Sequence, residues 1–236
     1  MTTVAVLLAG GTGTRLGAGR PKQFLPLGPH TVLEQCLEVF GGCSAVDEIV
    51  LVMEPDHLAE ARRLVGGGAH PRVAAVVAGG ATRAESTRQA LAVIGEDVTH
   101  LLVHDVARPL VSRALVEACR TALREFGAVT PVVAPADTVV EASADGRTLE
   151  RVLVRDRVRR VQTPQAFRAE VLRAAHAAAV REGDDTATDD CGVVARHLPD
   201  VTIGLVDGEE TNLKITLPGD LELAERLLAG RSPVVP

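Results

Sequence analysis

The chain has 236 residues, a formal net charge of -6, 46% hydrophobic residues and only 2% aromatics, with no Trp and no Tyr. That length suits one α/β domain with a sizeable core, and the apolar content excludes global disorder. Mild acidity and a mere four rings (Phe24, Phe40, Phe126, Phe167) argue against a nucleic-acid partner, which would need a basic face and stacking platforms. Among the 25 basic residues, only Lys22 and Lys214 are lysines.

The first apolar run, residues 4–9, is short, and the first positive charge, Arg15, follows it. This is not the basic start and long apolar stretch of a leader, and no run approaches the ~20 apolar residues of a membrane span. Cys36, Cys43, Cys119 and Cys191 form no C-x-x-C pair. The expectation is four reduced thiols in a cytoplasmic protein, without structural zinc and without membrane contact.

Residues 4–9, 49–53, 73–77, 100–104 and 128–133 are apolar runs without polar alternation, the pattern of parallel strands buried on both faces. Helix start signals lie between them. Thr31 with Glu34, and Thr82 with Glu85, read as capping boxes, and Ser112 reads as an N-cap. This alternation predicts a three-layer α/β/α, Rossmann-like, mostly parallel sheet with right-handed crossovers. Ligands then gather at the carboxyl ends of the strands. After residue 133 the rhythm breaks. Residues 137–141 and 150–155 read as two strands joined by a turn over 143–146, a hairpin that projects as an arm. A helix over 168–181, strands near 201–206 and 213–216, and a helix opened by Pro218 and running to 228 complete the pattern. The organisation is one domain, 1–230, with an arm at about 137–160 and a flexible tail, 231–236.

The first strand runs into Gly10-Gly-Thr-Gly-Thr-Arg15-Leu-Gly17, then Arg20-Pro-Lys22-Gln23. Glycines let backbone N–H groups close around an anion. The dinucleotide fingerprint G-x-G-x-x-G fails, because counting from Gly11 and Gly13 its last position is Leu16. The P-loop fails too, since no Gly-Lys-Ser/Thr occurs. What remains is a loop carrying its own cations. Arg15 offers a planar fork to phosphate oxygens and Lys22 a mobile point charge.

The pattern G-G-x-G-T-R-L-x-x-x-x-P-K-Q resembles the loop of polyol-phosphate cytidylyltransferases, and most of all the 2-C-methyl-D-erythritol 4-phosphate cytidylyltransferase family. The resemblance continues in order through Gly79-Gly80-Ala-Thr-Arg83-Ala-Glu-Ser86, His104-Asp105-Val-Ala-Arg108-Pro109, Asp137-Thr138, Arg155, Gln162-Thr163-Pro164-Gln165-Ala-Phe167, Thr188-Asp189-Asp190 and Asn212-Leu-Lys214-Ile-Thr216. It implies CMP transfer from CTP to methylerythritol phosphate, releasing pyrophosphate. A phosphate monoester is already mostly ionised at pH 7, so the reaction needs positioning and charge relief rather than a general base. By resemblance Arg15 and Lys22 are catalytic and Mg²⁺ is the cofactor. Ala9, Gly10, Gly11, Gly13, Gly80, Ala81, Ser86, Asp105 and Lys214 bind the nucleotide, and Arg108, Thr138, Arg155, Thr163 and Thr188 bind the polyol phosphate. Family members often carry Asp where Ala81 stands.

Several positions stay open. Asp105 serves either the CTP ribose or the metal. Arg108 either braces Asp105 or reaches substrate, and His104 reads as packing rather than a base. Arg157, Arg159 and Arg160 read as arm-surface charges. Asp184, Asp185, Asp189 and Asp190 read as an exposed acidic loop capping the next helix, with a metal cluster as the alternative. The family's arm crosses to a partner subunit, which implies a homodimer. A ribitol 5-phosphate cytidylyltransferase is the near alternative, and a nicotinamide-binding oxidoreductase the remote one.

Overall fold

The structure, a computed structural model, describes residues 1–11 and 20–230. In chain order the elements are β1 (Thr2–Ala9), the short pair β2 (Pro26–Leu27) and β3 (His30–Thr31), α1 (Val32–Gly41), β4 (Glu48–Met53), α2 (Leu58–Val65), β5 (Val73–Ala78), α3 (Arg83–Leu91), β6 (Val98–Asp105), α4 (Arg113–Ala122) and β7 (Ala128–Val133). Then come β8 (Val140–Ala142), β9 (Leu149–Val152), β10 (Arg160–Val161), β11 (Gln165–Arg168), α5 (Ala169–Glu182), α6 (Asp190–His197), β12 (Ile203–Asp207) and α7 (Pro218–Ala229).

Eight strands form one sheet in the order β10-β7-β11-β6-β1-β4-β5, with β12 beside β7. β1 is parallel to both β4 and β6, β4 to β5, and β7 to β12, whereas β10 and β11 run antiparallel. Alternate side chains of β1 serve opposite layers, as strand geometry requires. Ala5 and Leu7 pack with Leu33, Phe40 and Val116 of α1 and α4, while Val4 and Val6 pack with Ala90, Leu172 and Ala175 of α3 and α5. The three expected layers are present. The start signals hold with one change: Thr31 and Glu34 form a reciprocal capping box and Ser112 accepts from Leu115 N, whereas Thr82 accepts from Glu85 N without the reciprocal bond, because the Glu85 carboxylate accepts from Ala81 N instead.

The chain departs from β1 towards β4 and β5, then returns to place β6 on the other side of β1. This reversal opens a crevice at the carboxyl end of the sheet, between β1 and β6, where such folds bind ligands.

Several expectations change. Residues 213–216 form no strand. Their backbone is tied instead by Ile215 N to Ala107 O (2.8 Å) and by Thr216 N and Leu217 N to the Asp220 carboxylate (both 2.7 Å). β11 was not anticipated, because a Gln-Thr-Pro-Gln run reads as loop. Gln165 is nevertheless wholly buried between β6 and β7, with its amide donating to Thr130 and accepting from Asp190 N and Cys191 N. The acidic loop does cap a helix, through Asp189 and Gly192 N at 2.7 Å, but Asp190 is not exposed: its accessibility is 0%.

The hairpin is shorter than expected, and every residue of β8 and β9 is exposed. It forms a separate two-stranded sheet, with Gly146 at φ +70° in the turn. The cysteines are free and buried. Among the described residues no helix is long and apolar enough to cross a membrane.

Candidate active site

The crevice is walled by the ends of three strands. Ala9, Gly10 and Gly11 continue β1, Gly80 to Arg83 lead from β5 into α3, and Asp105 to Ala107 end β6. Lys22, Ser86 and Lys214 also line it. Of the positions expected to catalyse or to bind the nucleotide, Lys22, Ala9, Gly10, Gly11, Gly80, Ala81, Ser86, Asp105 and Lys214 therefore meet in one cleft. Arg15 and Gly13 lie outside the described residues.

Each wall has a local cause. Gln23 is buried and its amide donates to Ala9 O (2.9 Å), which holds the Lys22 segment against the end of β1. Lys22 Nζ donates to Ile215 O (3.0 Å), next to Lys214 in the chain. This bond ties the Lys22 segment to the one that carries Lys214, with its two partners 193 positions apart in the sequence. On the opposite wall Ser86 Oγ accepts from Gly80 N (3.1 Å), and Glu85 accepts from Ala81 N (2.7 Å). Glu85 folds so closely over Gly80 that a Cβ there would lie 2.2 Å from its Cγ, so this turn requires glycine. The Ser86 hydroxyl keeps its own proton for a ligand acceptor.

Asp105 is the one carboxylate among the described residues that line the cleft. Arg83 Nε donates to its Oδ1 (3.2 Å) and Lys214 Nζ to its Oδ2 (2.7 Å), with the carboxylate only 14% exposed. Burial alone would raise this carboxyl, but the Arg83 and Lys214 cations outweigh it and hold the group well below the usual carboxylate range. Beneath it, Asp105 N donates to Thr163 Oγ1 (3.1 Å), and Thr163 meets His104 Nδ1 (3.0 Å). Because Arg108 O can only accept, the proton of His104 sits on Nε2 (3.1 Å from that oxygen), and Nδ1 accepts from Thr163. Burial pushes His104 down to about 4, against the opposing pull of Asp105, so its imidazole is neutral. His104 is packing and hydrogen-bonding structure, as its sequence context suggested.

Arg108 does not brace Asp105. It donates to Asn212 O (2.8 Å) and Val161 O (3.3 Å), while Asn212 donates to Thr163 O (2.9 Å). These bonds join the HDVARP, QTPQ and NLK segments into one lattice that aims Asp105 and Lys214 at the cleft. Thr163 is 4% exposed, with its hydroxyl committed to this lattice. Thr138, Arg155 and Thr188 are exposed and line no part of the cleft. Arg155 donates to Ala136 O (3.4 Å) at the base of the arm.

Arg83, Gln23 and Asn212 escaped assignment as functional residues. Arg83 carried a signal: a cation in the first turn of a helix opposes the helix dipole and implies an anionic partner. Gln23 and Asn212 carried none, because each acts through contacts distant in sequence.

No group of three or more potential metal ligands occurs among the described residues. A resident protein-held ion does not match this donor set. One carboxylate beside a cationic cleft instead fits Mg²⁺ that arrives on nucleotide phosphates, since this ion is commonly held by one or two carboxylates plus the phosphates.

An open, mostly parallel sheet with a glycine-walled, cation-lined cleft at its switch point places the protein among the nucleotide-binding α/β folds. The family model for 2-C-methyl-D-erythritol 4-phosphate cytidylyltransferase (IspD) matches residues 3–230, and the chain belongs to that nucleotidyltransferase family. It is 47% identical to the enzyme of that name from Thermobifida fusca over 229 residues, covering 95% of this chain and 92% of the relative. A bifunctional ribulose 5-phosphate reductase/CDP-ribitol pyrophosphorylase from Haemophilus influenzae is 33% identical over 97% of this chain but only 48% of its own length. Among solved structures, a 4-diphosphocytidyl-2C-methyl-D-erythritol synthase from Anaerococcus prevotii matches with TM-score 0.83 at 27% identity, over 97% of this chain and 98% of that one. The cytidylyltransferase from Thermus thermophilus matches with TM-score 0.74 at 35% identity, over 95% and 98%.

Proposed function

We propose that the protein transfers CMP from CTP to 2-C-methyl-D-erythritol 4-phosphate, giving CDP-methylerythritol and pyrophosphate for isoprenoid precursor synthesis. The observation that carries the reading is the convergence of Arg83 and Lys214 on a single carboxylate, with Lys22 lining the same cleft, whose other wall is Gly80, Ala81 and the Ser86 hydroxyl. One wall suits a triphosphate, the other a pyrimidine edge. A purine would overfill a close-packed pocket of this kind.

In the reaction an oxygen of the polyol phosphate attacks the α-phosphorus of CTP, and the bond to the β-phosphate bridging oxygen breaks. The substrate phosphate is already the nucleophile, which agrees with a cleft whose one carboxylate among the described residues, Asp105, is held well below the usual carboxylate range and so is a weak base, and with a neutral, buried His104. Lys22 and Arg15 take the role of relieving charge at the reacting phosphates, and Lys214 contacts the chain of phosphates as it leaves Asp105. Mg²⁺ bound with the nucleotide would add charge neutralisation there, with Asp105 as the available protein ligand or, alternatively, as the ribose acceptor.

The substrate side of the site involves Thr188 together with Thr138 and Arg155, and we assign the last two to the arm of a second copy. β8 and β9 expose Val140, Leu149 and Val152, and Val154 follows at 65% accessibility. An isolated hairpin is marginal in water, so a neighbouring surface is needed to cover these side chains. A symmetric homodimer is the simplest supply of one. Four buried, unpaired thiols suit a reducing cytoplasm.

Incubation with CTP and each polyol phosphate, scored by pyrophosphate release, tests the reading. Methylerythritol phosphate is expected to exceed ribitol 5-phosphate by at least a hundredfold in kcat/KM. A preference for ribitol phosphate would instead support the second reading, which the 33% identity to the ribitol enzyme keeps in view.

A further inference from the structure

Arg83 stands between two carboxylates that come from distant parts of the chain. Its Nε donates to Asp105 Oδ1 (3.2 Å) in the cleft, and its Nη1 donates to Asp190 Oδ2 (2.5 Å) behind it. Asp190 is wholly buried and lies 107 residues further on, at the first position of α6. Its other oxygen accepts from His176 Nε2 on α5 (3.0 Å), and its own N–H donates to Gln165 Oε1 (3.1 Å). His176 Nδ1 is buried without a hydrogen-bond partner among the described residues, so the ring is turned to serve Asp190 rather than to satisfy both of its nitrogens. The Nη2 of Arg83 is likewise buried without a partner among the described residues. The guanidinium is therefore held in a pose that sacrifices one of its own bonds.

We propose that Asp190, backed by His176, is a positioning residue for nucleotide binding: it anchors Arg83 so that only Nε reaches Asp105, which fixes the carboxylate in the cleft. The inference rests on the functional reading above. A guanidinium is a rigid fork and pairs bidentately with a lone carboxylate when it is free to do so. With Asp190 in place, Arg83 engages one oxygen of Asp105 and the other oxygen remains with Lys214, exchangeable for a ligand. Without that anchor, Arg83 turns both prongs onto Asp105. Lys214 is displaced, and the carboxylate loses the free oxygen it needs to meet ribose or a nucleotide-borne cation. The effect belongs to CTP, because Arg83 and Asp105 line the cleft while Asp190 lines none of it.

Asp190→Asn keeps the shape of the side chain and removes its charge. Calorimetric titration with CTP is expected to show binding about tenfold weaker than wild type, and the KM for CTP rises in parallel. The KM for the polyol phosphate stays within twofold, and circular dichroism stays native. His176→Gln, which keeps a donor towards Asp190, is expected to weaken CTP binding only about threefold. In a double-mutant cycle, Asp190→Asn adds less than twofold once Arg83 is Lys, because a point charge cannot bridge both carboxylates. If folded Asp190→Asn binds CTP as wild type does, or if both KM values rise together, or if the cycle is additive, the positioning role is wrong. Should wild type bind CTP and Asp190→Asn bind it weakly while no polyol phosphate is turned over, the functional reading fails and the positioning role stands. Absence of CTP binding by wild type would overturn both.

Discussion

The cleft and the arm use the same chain in opposite ways. Around the cleft, polar side chains are buried and joined: Thr163, Gln162, Asn212, His104 and Gln165 are each at most 5% exposed, and each has a partner from another segment. In the arm, the hydrogen bonds are local. Arg151 pairs with Glu141 across the hairpin, and Ser143, Asp145 and Thr148 bond one another in the turn. Apolar Leu149, Val152 and Val154 face outward at 56% accessibility or more. A buried polar lattice is costly unless complete, so its near-completion within one chain marks a surface finished by folding. Outward valines and leucines on a bare hairpin mark a surface finished by association.

Four perturbations test this contrast, taken from the largest expected effect to the smallest. Lys22→Ala removes a cation from the finished side. Loss of an electrostatic donor of this kind is worth roughly 3–4 kcal/mol, so steady-state turnover falls at least a hundredfold. Activity within threefold of wild type would remove Lys22 from catalysis. On the unfinished side, Leu149→Asp with Val152→Asp places charges where a partner should cover apolar groups. Association weakens by about 3 kcal/mol, a hundredfold or more, with the monomer fold intact. Light scattering across a dilution series reads this, and an unchanged dimer, or a wild type that is monomeric at every concentration, rejects the arm as an interface.

The third perturbation is pH. An unfolded histidine titrates near ~6.5, whereas burial holds His104 at about 4 in the folded chain. Below ~6.5 the unfolded state gains a proton that the folded state refuses, so this contribution is complete above ~6.5 and is lost as pH falls towards 4. Between pH 7 and pH 5 it amounts to about 2 kcal/mol. Urea unfolding of wild type and His104→Gln at the two pH values checks it: the wild-type loss should exceed that of the variant by this amount, and equal slopes would refute it. The smallest effect is Thr163→Val, which removes the acceptor for Asp105 N and the donor to His104. It costs about 1 kcal/mol of stability in thermal or urea unfolding, the net worth of a typical hydrogen bond. CTP binding weakens only a fewfold, because Arg83 and Lys214 still hold the carboxylate.

Much of this was legible in the sequence, and particular residues show why. The strands of the parallel sheet were readable because burial on both faces writes a continuous apolar run, as at Leu7 and Leu51. The helix starts at Thr31, Thr82 and Ser112 were readable because a cap is a three-residue interaction. Lys22 and Lys214 stood out against 23 arginines, and both now line the cleft. By contrast, β11 reads as a loop, because Gln165 finds its burial partners only on β7 and α6. Asp190 looked solvated because nothing nearby in sequence announces Arg83 or His176.

The sequence by itself determined the layers, the position of the cleft at the strand ends and the family, because these depend on local periodicity, capping and ordered motifs. Tertiary structure alone decided which carboxylate meets which cation. It also decided that Arg108 serves backbone carbonyls rather than Asp105, and that Asp190 is buried behind Arg83. Those pairings join residues separated by tens to more than a hundred positions, and their strength depends on distance and desolvation in the folded chain, which no local pattern encodes.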